Sequence, residues 1–227
     1  MGNKERLFEV CCGSLASVEA AVAGGAERIE LCSALPLDGL TPSMGLLKYV
    51  RQRYPGLKIF MLVRPREGGF VYTPGELRTM AMDIEEALPW VDGIVSGALT
   101  PEGDIDMMAT EALVRQSKGK PFTFHRAFDS CRNPIVALEQ LIALGCCRVL
   151  TSGQAPTAQE GVPLLRQLHD LAADRLIVMP GGGVNTENAR LILDQTGCSE
   201  IHSSARLPGG HETSAEVVAH IRATIGG

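Results

Sequence analysis

The chain has 227 residues, with 21 Lys and Arg against 26 Asp and Glu, a formal charge of −5. An acidic balance with no basic cluster argues against a nucleic-acid partner, and no run of about 18 apolar residues exists to span a membrane. At 45% hydrophobic and 21% charged residues the chain has enough apolar content for a packed core, and 25 Gly and 13 Pro beside only 10 aromatics (6 Phe, 3 Tyr, 1 Trp) suit an aliphatic parallel α/β protein.

Met1–Arg6 lacks the apolar core of a signal peptide, so the expected location is the cytoplasm. The seven cysteines are then expected as thiols. None of them forms a C-x-x-C pair, which argues against a zinc ribbon.

Short apolar runs alternate with amphipathic helical patterns along the whole chain. Leu7–Cys11 reads as a strand, followed by a helix from Ser14 to Ala23 that Gly24-Gly25 stops. Arg28–Cys32 is the second strand, and its helix is expected to start at Thr41-Pro42, a cap followed by proline. After the third strand, Leu57–Val63, Thr73-Pro74 with Glu76 forms a capping box. Gly93–Gly97 precedes a helix over 106–116, and Pro121–His125 precedes Pro134–Leu144. Arg148–Thr151 and Glu160–Ala172 make the sixth unit, Leu176–Met179 and 186–193 the seventh. Glu200–Ser203 and Ser214–Ile225 make the eighth. Eight strand–helix units with no linker between them predict one domain over residues 1–227, a TIM (β/α)₈ barrel. The alternative, a doubly wound sheet, needs a glycine-rich phosphate turn after the first strand, where only Gly13 stands.

In such a barrel the chemistry gathers where the strands end. The first two strands end Glu9-Val10-Cys11 and Glu30-Leu31-Cys32, and the eighth carries Glu200-Ile201-His202. A strand period of two puts Glu9 with Cys11, Glu30 with Cys32, and Glu200 with His202 in the lumen. Cys11 and Cys32 end neighbouring strands, close enough to share one soft metal ion, Cu(I) or zinc rather than magnesium. Glu9, Glu30 and His125 are acid/base candidates. Arg64 and Arg66, leaving the third strand, are candidate carboxylate or anion binders. Thr151-Ser152-Gly153, Gly181-Gly182-Gly183 and Ser203-Ser204 read as the amide and hydroxyl lining of an anion site. Arg126, Asp129, Glu200 and His202 are expected to support these groups. A bland reading, a Glu/Arg/His network that only holds the barrel together, competes with the functional one.

The strand ends resemble the CutC family of copper homeostasis proteins. The matching stretches are Glu9–Cys11, Gly24–Cys32, Gly39–Ser43, Arg64–Arg66, Phe122–Asp129, Arg148–Gly153, Met179–Gly183 and Ile201–Ala205. The resemblance implies a cytoplasmic TIM-type barrel, a homodimer, and copper held by Cys11 and Cys32. The alternative is an enzyme acting on a small anionic, phosphorylated or unphosphorylated, metabolite. Two departures stand out. The family's Arg-Pro-Arg-Gly-Gly-Asp-Phe loop reads Arg64-Pro65-Arg66-Glu67-Gly68-Gly69-Phe70 here, and only Arg206–Thr213 bridge the eighth strand to the last helix.

Overall fold

The fold is that of a computed structural model that describes residues 6–226. The stretch Met1–Glu5, part of the leader reading above, lies outside them. Strand β1 (Leu7–Cys12) leads to helix α1 (Leu15–Ala23), and β2 (Arg28–Leu31) to α2 (Met44–Arg53). Then come β3 (Lys58–Leu62), α3 (Pro74–Ala87), β4 (Gly93–Ser96) and α4 (Met107–Gln116). The second half runs β5 (Phe122–Phe124), α5 (Pro134–Ala143), β6 (Arg148–Thr151), α6 (Val162–Ala172), β7 (Ile177–Pro180), α7 (Ala189–Thr196), β8 (Glu200–Ser203) and α8 (Ala215–Gly226).

All paired strands are parallel, in the order β7-β6-β5-β4-β3-β2-β1-β8. A parallel bridge between Gly181 and His202 brings β7 to β8 and nearly closes the sheet into the expected (β/α)₈ barrel. Phe8, Val10, Cys12, Ile29, Leu31 and Ile201 face outward into the core shared with the helices. Cys11, Cys32, Phe60, Leu62 and Val95 form a second, smaller apolar cluster, as the period-two alternation requires.

Local signals set most helix starts. Ser14 caps α1 by accepting from the Ser17 N–H at 3.0 Å, and Thr73 and Glu76 form the reciprocal capping box of α3. Gly25 follows α1 with φ +86°, a conformation that favours glycine. Helix α2 departs from expectation: its cap is Ser43, not Thr41. The Thr41 hydroxyl is engaged elsewhere, accepting from the Arg64 N–H and donating to the Arg64 carbonyl. Two short 3-10 turns, Leu35–Leu37 and Arg126–Ser130, follow β2 and β5 and form part of the barrel mouth. Among the described residues no helix is long and apolar enough to cross a membrane.

Candidate functional site

The strand register decides which polar residues meet in the lumen. Glu9 lies opposite both Arg28 on β2 and His202 on β8, and Cys11 lies opposite Glu30. These pairs make two layers.

The lower layer is an ion network. Arg28 Nε lies 2.6 Å from Glu9 Oε2, and its Nη2 also meets Glu200. Arg148 reaches across from β6 and holds Glu200 through Nε and Nη2 at 2.6 and 2.9 Å. Both guanidinium groups stack on Phe60, at 5.1 and 5.3 Å from its centroid. Burial alone would raise the Glu9 carboxyl, but Arg28, His202 and Arg148 bring it down to about 2. Burial also acts against the Glu200 charge, and its two arginines again win and lower it. Arg28 and Arg148 were not among the residues expected from the sequence. Their signal was available, because Arg28 lies in register with Glu9.

Glu9, the acid/base candidate of the first strand, lies in this network. It is fully buried, tied to Arg28 and His202, and does not line the cavity above. Glu200, expected from the sequence as a supporting residue, lies in this same network.

The upper layer faces a cavity of about 520 Å³ at the C-terminal ends of the strands. Cys11 Sγ is 3.8 Å from Cys32 Sγ and 3.4 Å from Glu30 Oε1. Ligand atoms of Cys11, Glu30 and His202 all lie within 4.8 Å of one another. These three line the cavity, whereas Cys32 is behind Cys11 and fully buried. His202 Nδ1 is 2.9 Å from Glu9 Oε1, which leaves Nε2 as its other ring nitrogen. This carboxylate–imidazole pairing is the arrangement that orients metal-binding histidines. Burial would lower the His202 pKa, but the hydrogen bond to Glu9 and the nearby Glu30 raise it. The neighbouring Cys32 and burial push the Cys11 thiol well up, and burial raises Glu30. Glu30 Oε2 is buried and has no hydrogen-bond partner.

On the opposite wall, His125 Nδ1 accepts the Ala127 N–H at 3.2 Å, so the neutral ring carries its proton on Nε2. Burial, reinforced by Arg64, lowers His125 to about 3. Its Nε2 is buried without a partner, as is Arg64 Nε.

The remaining expected residues divide. Arg64 lines the cavity, but its Nη1 and Nη2 donate to the carbonyls of Leu37, Gly39 and Gly68. Arg66 is outside the cavity, bonded to Glu76 and to carbonyls of its own loop. Thr151, Ser152 and Gly153 are engaged within the protein. The Asp129 carboxylate accepts from the Thr151 hydroxyl and from the Ser152 and Gln154 N–H groups, while the Gly153 N–H goes to Thr151 Oγ1. Arg126 then bridges Asp129 and Ser152 Oγ. The Gly181 N–H is spent on the Thr151 carbonyl. Gly182, Gly183, Ser203 and Ser204 do line the cavity. Ser203 donates to Val184 O, and Ser204 Oγ accepts from Arg206.

The family model described as the CutC family matches residues 6–207. The chain belongs to the CutC family. It is 48% identical over 204 residues to a family protein CutC of Bacteroides thetaiotaomicron, covering 89% of this chain and 82% of that protein. It is 47% identical over 201 residues to a human protein named copper homeostasis protein cutC homolog, covering 88% of this chain and 73% of that one. A crystal structure of a copper homeostasis protein CutC from Streptococcus agalactiae superimposes with a TM-score of 0.84 at 34% identity, covering 88% of this chain and 98% of that one. The two layers described above thus occupy a CutC barrel, and the departures noted in the sequence fall at its rim. Gly68 of the altered loop gives its carbonyl to Arg64, and Phe70 lines the cavity. The short bridge after β8 is tied down by Glu212, which accepts from Ser14 and Ser17.

Proposed function

We propose that this CutC protein binds copper at the barrel mouth, with Cys11 as the central donor, Cys32 as the second sulfur, and His202 and Glu30 completing the set. One observation carries the reading: Cys11 Sγ touches Cys32 Sγ and Glu30 Oε1 while sharing a cluster with His202. Two thiolates select a soft ion such as Cu(I). The two sulfurs, 3.8 Å apart, would hold such an ion between them, with Glu30 and His202 near enough to add donors. The relatives' copper homeostasis names support the same ion. All seven cysteines are free thiols, in keeping with a reducing cytoplasm, and the family resemblance adds a homodimer.

Cys11 must lose its proton to bind, so copper affinity rises with pH. Titration with Cu(I) against a competing chelator tests the assignment. Cys11→Ser is expected to weaken binding by more than about a hundredfold, and Glu9→Gln, which loosens the orientation of His202 and also removes the ion pair with Arg28, by about tenfold. Wild-type affinity in Cys11→Ser overturns the proposal.

A further inference from the structure

Two oxyanion nests stand near each other on the rim of the barrel mouth, and one of them is filled by the protein itself. It is the turn after β6, where the Ser152 and Gln154 N–H groups and the Thr151 hydroxyl close on the Asp129 carboxylate. The other lies between the ends of β7 and β8. The bridge from Gly181 to His202 brings these ends together, and Ser203 Oγ donates to the Val184 carbonyl at 2.6 Å, which fastens the two turns to each other. Gly183 and Ser204, the next residues along each turn, flank that bond. Neither N–H group has an acceptor among the described residues. Gly183 is exposed and Ser204 half-buried, and both line the cavity. Gly182 and Gly183 hold φ at +105° and +71°, so the turn is built from backbone that carries no side chain over it.

We propose that this second nest binds the phosphate group of a small phosphate monoester, with the Gly183 and Ser204 N–H groups, the Ser204 hydroxyl and the Arg206 guanidinium as donors. The charges lead there first. Arg206 is exposed, lines the cavity, and pairs with no carboxylate among the described residues. Its Nε donates to Ser204 Oγ at 3.0 Å, which holds the guanidinium beside the turn and leaves both Nη groups and the Ser204 hydroxyl hydrogen to donate. An antiparallel bridge to Thr213 holds the Arg206 backbone. Arg126 stands on the other side, where a Cβ on Gly182 would lie 3.3 Å from its Nη1. Asp129 already balances Arg126, so the uncompensated charge is that of Arg206. The donors then decide the class of anion. They belong to three separate groups, the β7 turn, the β8 turn and the Arg206 fork, one for each terminal oxygen of a phosphate. The planar Asp129 carboxylate, by contrast, takes its amides from a single turn. The cavity of about 520 Å³ continues from the nest to Glu30 and His202, which leaves room for the rest of a small metabolite.

The proposal goes beyond the copper reading, uses other donors and is tested without copper. Glycerol 3-phosphate, inorganic phosphate, glycerol and acetate are titrated by calorimetry, at fixed ionic strength, into the metal-free full-length protein and into Arg206→Gln. The Arg206 side chain is exposed and bonds only the Ser204 hydroxyl, so this variant keeps the fold. Saturable binding of glycerol 3-phosphate is expected, tighter than that of inorganic phosphate or acetate, with none for glycerol, and weakened about tenfold or more in Arg206→Gln. A second readout needs no variant: glycerol 3-phosphate should shift the amide proton resonances of Gly183 and Ser204 in the wild-type protein. Absence of saturable glycerol 3-phosphate binding, equal affinity in Arg206→Gln, acetate binding as tightly as glycerol 3-phosphate, or unmoved Gly183 and Ser204 resonances each overturns the assignment. Inorganic phosphate binding more tightly than glycerol 3-phosphate assigns the nest to the free ion and overturns the monoester.

Discussion

Glu9 and Glu30 stand on adjacent strands, in the same lumen, both almost fully buried, and have opposite surroundings. Glu9 meets Arg28 and His202, and its charge is stabilised. Glu30 meets a thiol through one oxygen and nothing through the other, and burial pushes its pKa up. The contrast extends to whole layers. Below, Arg28 and Arg148 face Glu9 and Glu200 at ion-pair distance, although Arg28 Nε and Glu9 Oε2 make no aligned hydrogen bond. Above, Glu30 and His125 line a cavity, and each keeps one buried polar atom with neither a hydrogen bond nor an ion pair. Desolvated groups that satisfy one another hold the barrel together, while those left unsatisfied around a space are poised for a ligand.

The largest expected effect breaks the lower layer. Arg28→Met leaves Glu9 and Glu200 short of a partner and should cost about 3–5 kcal/mol, on the order of 10 °C in Tm. Urea and thermal unfolding read this directly, and a loss below about 1 kcal/mol would show that the network is not what stabilises the lumen.

The pH dependence separates the layers by sign and window. His125 has a folded pKa of about 3 against the ordinary 6.5, so its contribution is complete above pH 6.5 and is lost as pH falls through that value toward 3. Glu9 contributes fully above its ordinary 4.5 and loses that contribution only as pH falls toward about 2. His202 runs the other way: its contribution is complete below 6.5 and disappears as pH rises through its raised value. The stability difference between wild type and His125→Asn should therefore change by up to about 1.4 kcal/mol per pH unit on acidification from 6.5. A difference constant from pH 7 to 4, followed by unfolding midpoints, would contradict the burial of a neutral imidazole there.

The smallest effect concerns Glu30. Glu30→Gln removes no ion pair and should change stability by about 1 kcal/mol or less while weakening copper binding. A loss as large as that of Arg28→Met would place Glu30 with the structural network.

Much of this was legible in the chain, because strands alternate with period two and parallel neighbours stay in register. The pattern E-x-C, E-x-C, E-x-H puts Cys11, Cys32, Glu30 and His202 on one side of the lumen. It did not separate Glu9 from Glu30, since both carry the same local signature. Arg64, expected as the carboxylates' partner, turned to the loop carbonyls of Leu37, Gly39 and Gly68 instead. Arg28 and Arg148, at strand starts, took the carboxylates. The start of α2 shifted to Ser43 because the Thr41 hydroxyl bonds Arg64, a residue 23 positions away.

The sequence by itself determined the barrel, its facing pattern and the family, all of which follow from local periodicity and short motifs. The tertiary structure alone decided which ionisable groups are satisfied. Arg148 reaches Glu200 across the lumen from a strand that is not its neighbour. Asp129 fills the β6 nest from a different loop. Such contacts depend on how a closed barrel brings distant strands together, and no spacing along the chain records that.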